Sequence, residues 1–154
     1  MKIALLALAL LLAACAPQAP IAPLDEAWIA PEIDLPTLDG GALRLSDLRG
    51  EWVILTFWAT WCAPCAVELP ALQTVHASSA VNVIAVNMRE KAESVQIFAD
   101  RLGLTFPILL SPTDAVVLAY TVMGLPQTFV ISPSGEIVWR GFGPGLPPPL
   151  WAES

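Results

Sequence analysis

Apolar and polar residues fall into short, punctuated blocks along this chain, and the period of the pattern changes from block to block. Trp52 to Trp58 is a nearly unbroken apolar run rich in β-branched and aromatic side chains, the mark of a buried strand. After it, Ala66, Leu69, Leu72 and Val75 recur at helical spacing, which predicts a helix over Ala63 to His76. Val81 to Val86 reads as a second strand. Lys91 to Leu102 reads as a second helix, with Val95, Phe98, Ala99 and Leu102 on one face and Gly103 as its stop. Phe106 to Leu110 predicts a short strand, and Pro112 to Tyr120 a helical stretch in a region closed by Gly124. Gln127 to Ile131, the turn Pro133-Ser134-Gly135 and Glu136 to Arg140 predict a closing hairpin. Upstream, Ile33, Leu35 and Leu38, then Leu43 and Leu45, flank Asp39-Gly40-Gly41, which predicts a small β-hairpin. Ser46 to Gly50 reads as a short capped turn leading into the first core strand. This order predicts an α/β fold: a mixed central β-sheet flanked by helices, with an N-terminal hairpin extension.

The two ends depart from the pattern. Met1-Lys2 is followed by an apolar run from Ile3 to Ala14, too short for a spanning helix, which needs about 20 residues. A positive start, a short apolar centre and small residues at the break describe a secretory signal peptide over residues 1–14. Leu12-Ala13-Ala14-Cys15 resembles the bacterial lipobox, which makes Cys15 the lipidated first mature residue. The alternative is an ordinary signal peptide with Cys15 incidental. Pro17, Pro20 and Pro23 then make residues 15–29 an extended tether to a domain over residues 30–143. Residues 144–154 form a Pro-rich tail, in which Pro144 and Pro147 to Pro149 exclude a regular helix. Leu150 to Ser154 is too short for a stable one.

Composition narrows the function. The 154 residues suit one domain with a real core, and the formal net charge of −7 argues against nucleic-acid binding through a basic patch. Of the three cysteines, lipidation of Cys15 leaves only Cys62 and Cys65, two residues apart where the strand gives way to the helix. A thiol at a helix N-terminus meets unpaired N–H groups and the positive end of the helix dipole, and both favour the reactive thiolate. Zinc needs four ligands in a structural site, and the chain adds only His76, about 16 Å along the helix from Cys65. No metal and no cofactor is expected. A purely structural disulfide is poorly supported, because so short a loop removes little chain entropy. Thiol–disulfide exchange remains, with Cys62 attacking and Cys65 resolving the mixed disulfide. Pro64 fits a first helical turn, where its missing N–H costs nothing. Trp61 reads either as a shield or docking group for the pair or as ordinary packing. Met88 and Met123 read as packing residues, His76 as a surface or cap residue, and Asp25 and Glu26 as solvated charge.

Phe57-Trp58-Ala59-Thr60-Trp61-Cys62-Ala63-Pro64-Cys65, with Glu68 and Pro70 after it, resembles the thioredoxin superfamily, in its membrane-tethered TlpA/ResA-like branch. Gly103 to Pro107, Gly124 to Ile131 and Gly135 to Val138 match the same branch in the same order, so the resemblance covers about Ala30 to Gly143. It implies a thioredoxin-like fold and a redox-active Cys62–Cys65 disulfide. It also implies a cis-proline at Pro126 beside the pair, and a Leu125 that offers its backbone to an extended partner. Glu68 aligns with an acidic residue near the cysteines that holds or relays a proton. Its spacing from Cys65 alone also allows a solvated helix residue. Implied partners are protein thiols and disulfides of the cell envelope, with a membrane electron donor or acceptor and the lipid membrane reached through Cys15. The implied location is a lipid-anchored domain outside the cytoplasm, facing the periplasm in a Gram-negative cell. Reducing roles such as apocytochrome c thiol preparation follow from the same resemblance. A copper-binding relative and a non-catalytic binding module are the alternatives; a peroxiredoxin is disfavoured, because Thr60 is two residues before Cys62. Two departures stand out. Thr56-Phe57-Trp58 occupies the strand where cytoplasmic thioredoxin carries a buried acid, and the final helix of the family is apparently absent. In its place, either Leu150 and Trp151 cover that sheet face irregularly, or the face is exposed to a partner or membrane.

Overall fold

The computed structural model describes residues 28–78 and 81–153. The expected signal peptide, Cys15 and nearly all of the tether, with Asp25 and Glu26, lie outside the described residues. The uninterrupted apolar run becomes β3 (Val53–Trp58), whose six residues are all buried. A strand buried on both faces belongs at the centre of a sheet, and β3 is the middle strand of five. It pairs in parallel with β4 (Asn82–Asn87), and β4 in parallel with β5 (Ile108–Leu109). On its other side β3 pairs antiparallel with β6 (Gln127–Ile131), which turns back into the edge strand β7 (Ile137–Phe142). The parallel pairs require crossovers, and α1 (Ala63–Ala77) and α2 (Ala92–Leu102) supply them. The short helix α3 (Asp114–Ala119) joins β5 to β6. The sheet separates two apolar clusters. One holds Ile54, Trp58, Leu69, Leu72 and Phe98 on the α1–α2 side, and the other holds Phe57, Tyr120 and Phe129.

The predicted N-terminal hairpin forms as β1 (Asp34–Pro36) and β2 (Ala42–Arg44). It closes the outer edge of β5, where Leu38 N donates to the Ile108 carbonyl and Leu110 N to that of Pro36. β5 is shorter than the predicted Phe106 to Leu110, and the hairpin extends the sheet on its free side through the Thr37–Leu109 bridge. The turn after β2 differs from expectation. It is a 3-10 turn over Leu45–Leu48 with no side-chain cap of its own. Glu32 serves instead, its Oε1 accepting from Ile33 N and Ser46 N at 3.0 and 3.1 Å. The packed unit also reaches upstream of Ala30. Ile29 bridges Glu136, and Ile137 N donates to the Trp28 carbonyl at 2.7 Å.

Helix ends follow local chemistry. Thr113 caps α3, its Oγ1 accepting from Val116 N, so the helix starts later than the predicted Pro112. Gly103 ends α2 in the left-handed conformation at φ 64°, where a side chain would be strained. Leu150–Glu153 form one 3-10 turn, and Trp151 packs against the α1–α2 side of the core. Of the two expectations for that face, irregular cover by the tail is the one that the structure has. Among the described residues no helix is long and apolar enough to cross a membrane.

Candidate active site

The chain leaves the C-terminal end of β3 through a tight turn, in which Cys62 N donates to the Ala59 carbonyl at 3.2 Å. Cys62 is the N-cap of α1, with extended backbone, and its Sγ accepts from Cys65 N at 3.2 Å. That places a sulfur where the helix has spare N–H donors and partial positive charge. Cys62 and Cys65 are joined as a disulfide, with Cα atoms 5.3 Å apart. Cys62 is 5% exposed and Cys65 not at all. The first sulfur is therefore the one that a partner can approach. Pro64 lies in the first turn of α1 and is exposed. Trp61 is 72% exposed, so ordinary packing is not its role.

Glu68 points inward. It is 2% exposed, which removes the solvated alternative for this residue. Oε1 lies 2.7 Å from Thr128 Oγ1, which in turn lies 2.8 Å from Thr56 Oγ1, while Oε2 has no hydrogen-bond partner. Burial disfavours the charged form, and the single bond from Thr128 only partly offsets it, so the carboxyl pKa is pushed up to about 7. Thr56 occupies the strand position at which thioredoxin carries its acid. Here the acid comes from α1 and meets the sheet through Thr128. The sequence does not single out Thr128, because the β3–β6 register that sets it opposite Thr56 exists only in the fold.

The Leu125–Pro126 peptide bond is cis. Since Phe57 pairs with Gln127, this bond sits beside the end of β3 from which the cysteine turn emerges. Pro126 is buried and Leu125 half-buried. Next to them, Thr121, Met123, Gln127, Arg140 and Phe142 line an open, mainly apolar cavity of about 450 Å³. Met123 was expected to be a packing residue and is 88% exposed instead, because it lies on the loop after α3 and not on a helix face. Phe142, 71% exposed, lies over Gly124 so closely that a Cβ there would clash with its ring. Met88 does pack, against both clusters. His76 is half-buried in the last turn of α1, edge-on to Phe106. Among the described residues there is no group of three or more His, Cys, Asp or Glu that could hold a metal ion.

Comparison with known proteins agrees with this geometry. The AhpC/TSA family matches residues 28–140. The thiol-disulfide oxidoreductase ResA of Geobacillus kaustophilus is 46% identical over 111 residues, which are 70% of this chain and 64% of that protein. The chain thus spans under two thirds of that relative's length. The thioredoxin-like protein YneN of Bacillus subtilis is 40% identical over 119 residues, covering 74% of this chain and 69% of that one. A crystal structure of a thioredoxin-family thiol:disulfide interchange protein from Chlorobium tepidum superposes with TM-score 0.71 at 26% identity, covering 78% of this chain and 88% of that one. The β3–α1–β4 frame, the disulfide at the helix cap and these matches agree. The chain belongs to the AhpC/TSA family, as a ResA-like member of the thioredoxin superfamily.

Proposed function

We propose that this protein is a thiol–disulfide oxidoreductase that exchanges the Cys62–Cys65 pair with protein partners. The observation that carries the reading is the position of the disulfide: its more accessible sulfur caps α1, and its buried sulfur lies one turn before an inward-pointing glutamate. In the reduced protein, the Cys62 thiolate attacks a partner disulfide, forming a Cys62–partner bond and releasing one partner thiolate. Cys65 then loses its proton and attacks the Cys62 sulfur. The intramolecular disulfide re-forms and the second partner thiolate leaves, so two electrons pass to the partner. A carboxyl with a pKa near 7 is suited to hold the Cys65 proton at neutral pH. Trp61, Pro64, Leu125 and Pro126 supply the surface on which the partner lies. The cis bond, the register of β6 against β3 and the exposure of Trp61 support that assignment.

The finer reading is a reducing protein of the cell envelope, held to the membrane through a lipidated Cys15. It would be recharged by a membrane electron donor and reduce disulfides such as that of oxidised apocytochrome c to thiols. The lipobox-like Leu12-Ala13-Ala14-Cys15 and the resemblance to the tethered branch support it. Incorporation of labelled fatty acid by the wild-type chain, lost in Cys15→Ser, is expected; no incorporation would reject the anchor.

The central test uses the two cysteines. Cys65→Ser should accumulate mixed disulfides with partner proteins, and Cys62→Ser should not. Equal trapping by both variants, or by neither, would overturn the assigned roles.

A further inference from the structure

Glu90 is a partly buried acid that the exchange chemistry does not use. It sits in the loop between β4 and α2, and its carboxylate faces the cysteine turn across the top of the sheet. Oε2 accepts from the Thr60 backbone N–H at 2.7 Å and from Asn87 Nδ2 at 2.8 Å, and Oε1 accepts from the Thr60 hydroxyl. Glu90 N donates back to Asn87 Oδ1 at 3.1 Å. Asn87 is fully buried at the end of β4, in register with Trp58 at the end of β3. Burial pushes the Glu90 carboxyl up, but the bonds from Thr60 and Asn87 outweigh it and hold the group below the usual glutamate value. Both donor groups of Thr60, the N–H and the hydroxyl, thus end on one carboxylate, rooted in the sheet through Asn87.

The consequence falls on Trp61. Cys62 is fixed from its far side by α1, whose Cys65 and Ala66 N–H groups bond to the Cys62 carbonyl. Trp61 is 72% exposed, and among the described residues its backbone position follows from what holds Thr60 and Cys62 on either side. We propose that Glu90 is a positioning residue for partner recognition: by clamping Thr60 it fixes how Trp61 is presented beside Cys62, without setting the reactivity of the sulfur. This rests on the exchange reading above, in which Trp61 touches the partner.

The test is steady-state reduction of a protein disulfide (insulin) and of a small one (hydroxyethyl disulfide) by the full chain. Glu90→Gln keeps the shape but offers one acceptor and one donor to two donor groups of Thr60. It should raise KM for insulin about tenfold, with kcat and the small-disulfide rate within about twofold of wild type. Thr60→Ala, which removes only the hydroxyl bond, should raise it less, and adding it to Glu90→Gln should cost little more. Equal losses on both substrates, or an unchanged KM for insulin, would overturn the proposal. Thr60→Ala reads the same clamp if Glu90→Gln does not fold. A second readout does not depend on turnover. With 19F-labelled tryptophan, the Trp61 resonance (assigned by Trp61→Phe) should shift or broaden in Glu90→Gln, and an unchanged resonance counts against the clamp. If the wild type reduces neither substrate, the exchange reading fails, and with it the role in recognition. An altered Trp61 signal would then leave a purely structural clamp.

Discussion

Glu68 shows at the level of one residue how burial sets the charge of a side chain. A carboxyl with one bonded oxygen and one bare oxygen in an apolar surround holds its proton to about pH 7. In the unfolded chain it would release that proton near 4.5. The folded protein therefore binds more protons between these values. The stability from this group is full below about pH 4.5 and is lost as pH rises through about 7, a change of about 3 kcal/mol. Urea unfolding of the oxidised protein from pH 5 to 8 should show that fall, and Glu68→Gln should remove most of it. Parallel curves for the two proteins would contradict the assignment. The sequence placed Glu68 one helical turn from Cys65 but left its direction open. Spacing along α1 says which residues share a face, and only the sheet packed against α1 says that this face is dry. The contact between Thr60 and Glu90 is absent from the sequence for a related reason: they are 30 residues apart, and the β3–β4 pairing joins them.

Among the elements, β3 and β6 are legible as apolar runs and α1 and α2 from helical spacing. Elements whose limits depend on a partner were less so. β5 has two residues, fewer than its apolar pattern predicts, and lies between β4 and the N-terminal hairpin. The turn at Leu45–Leu48 is capped from Glu32, a residue no local rule would select. Where the signal is local, it is reliable. Gly103 closes α2 at a positive φ, so Gly103→Ala should destabilise the protein by about 1 kcal/mol. Gly145→Ala meets nothing within 4 Å and has no positive φ, so it should be near neutral. Equal thermal shifts for the two variants would show that backbone strain is not the cause.

Taken whole, the molecule has an active end and a covered face. The C-terminal ends of β3 and β4, the cis bond before β6 and the end of β7 gather at one end of the sheet, where Trp61, Met123 and Phe142 are exposed. On the α1–α2 side, Trp151 from the tail packs against the core cluster that contains both cysteines. Trp151→Ala should lower stability by about 2 kcal/mol, less than the loss of a fully buried tryptophan, read as a lower urea midpoint with the m-value unchanged. An unchanged midpoint would mean that the tail contributes no cover. The sequence by itself determined the strand–helix order, the pair at a helix start and the fold that follows, because these rest on hydrophobic period and on residues close in the chain. Only the tertiary structure decided that Glu68 is buried against Thr128, that Met123 is exposed and that Glu90 reaches Thr60. These depend on which faces the sheet brings together, and contacts between distant segments leave no periodic trace in the chain.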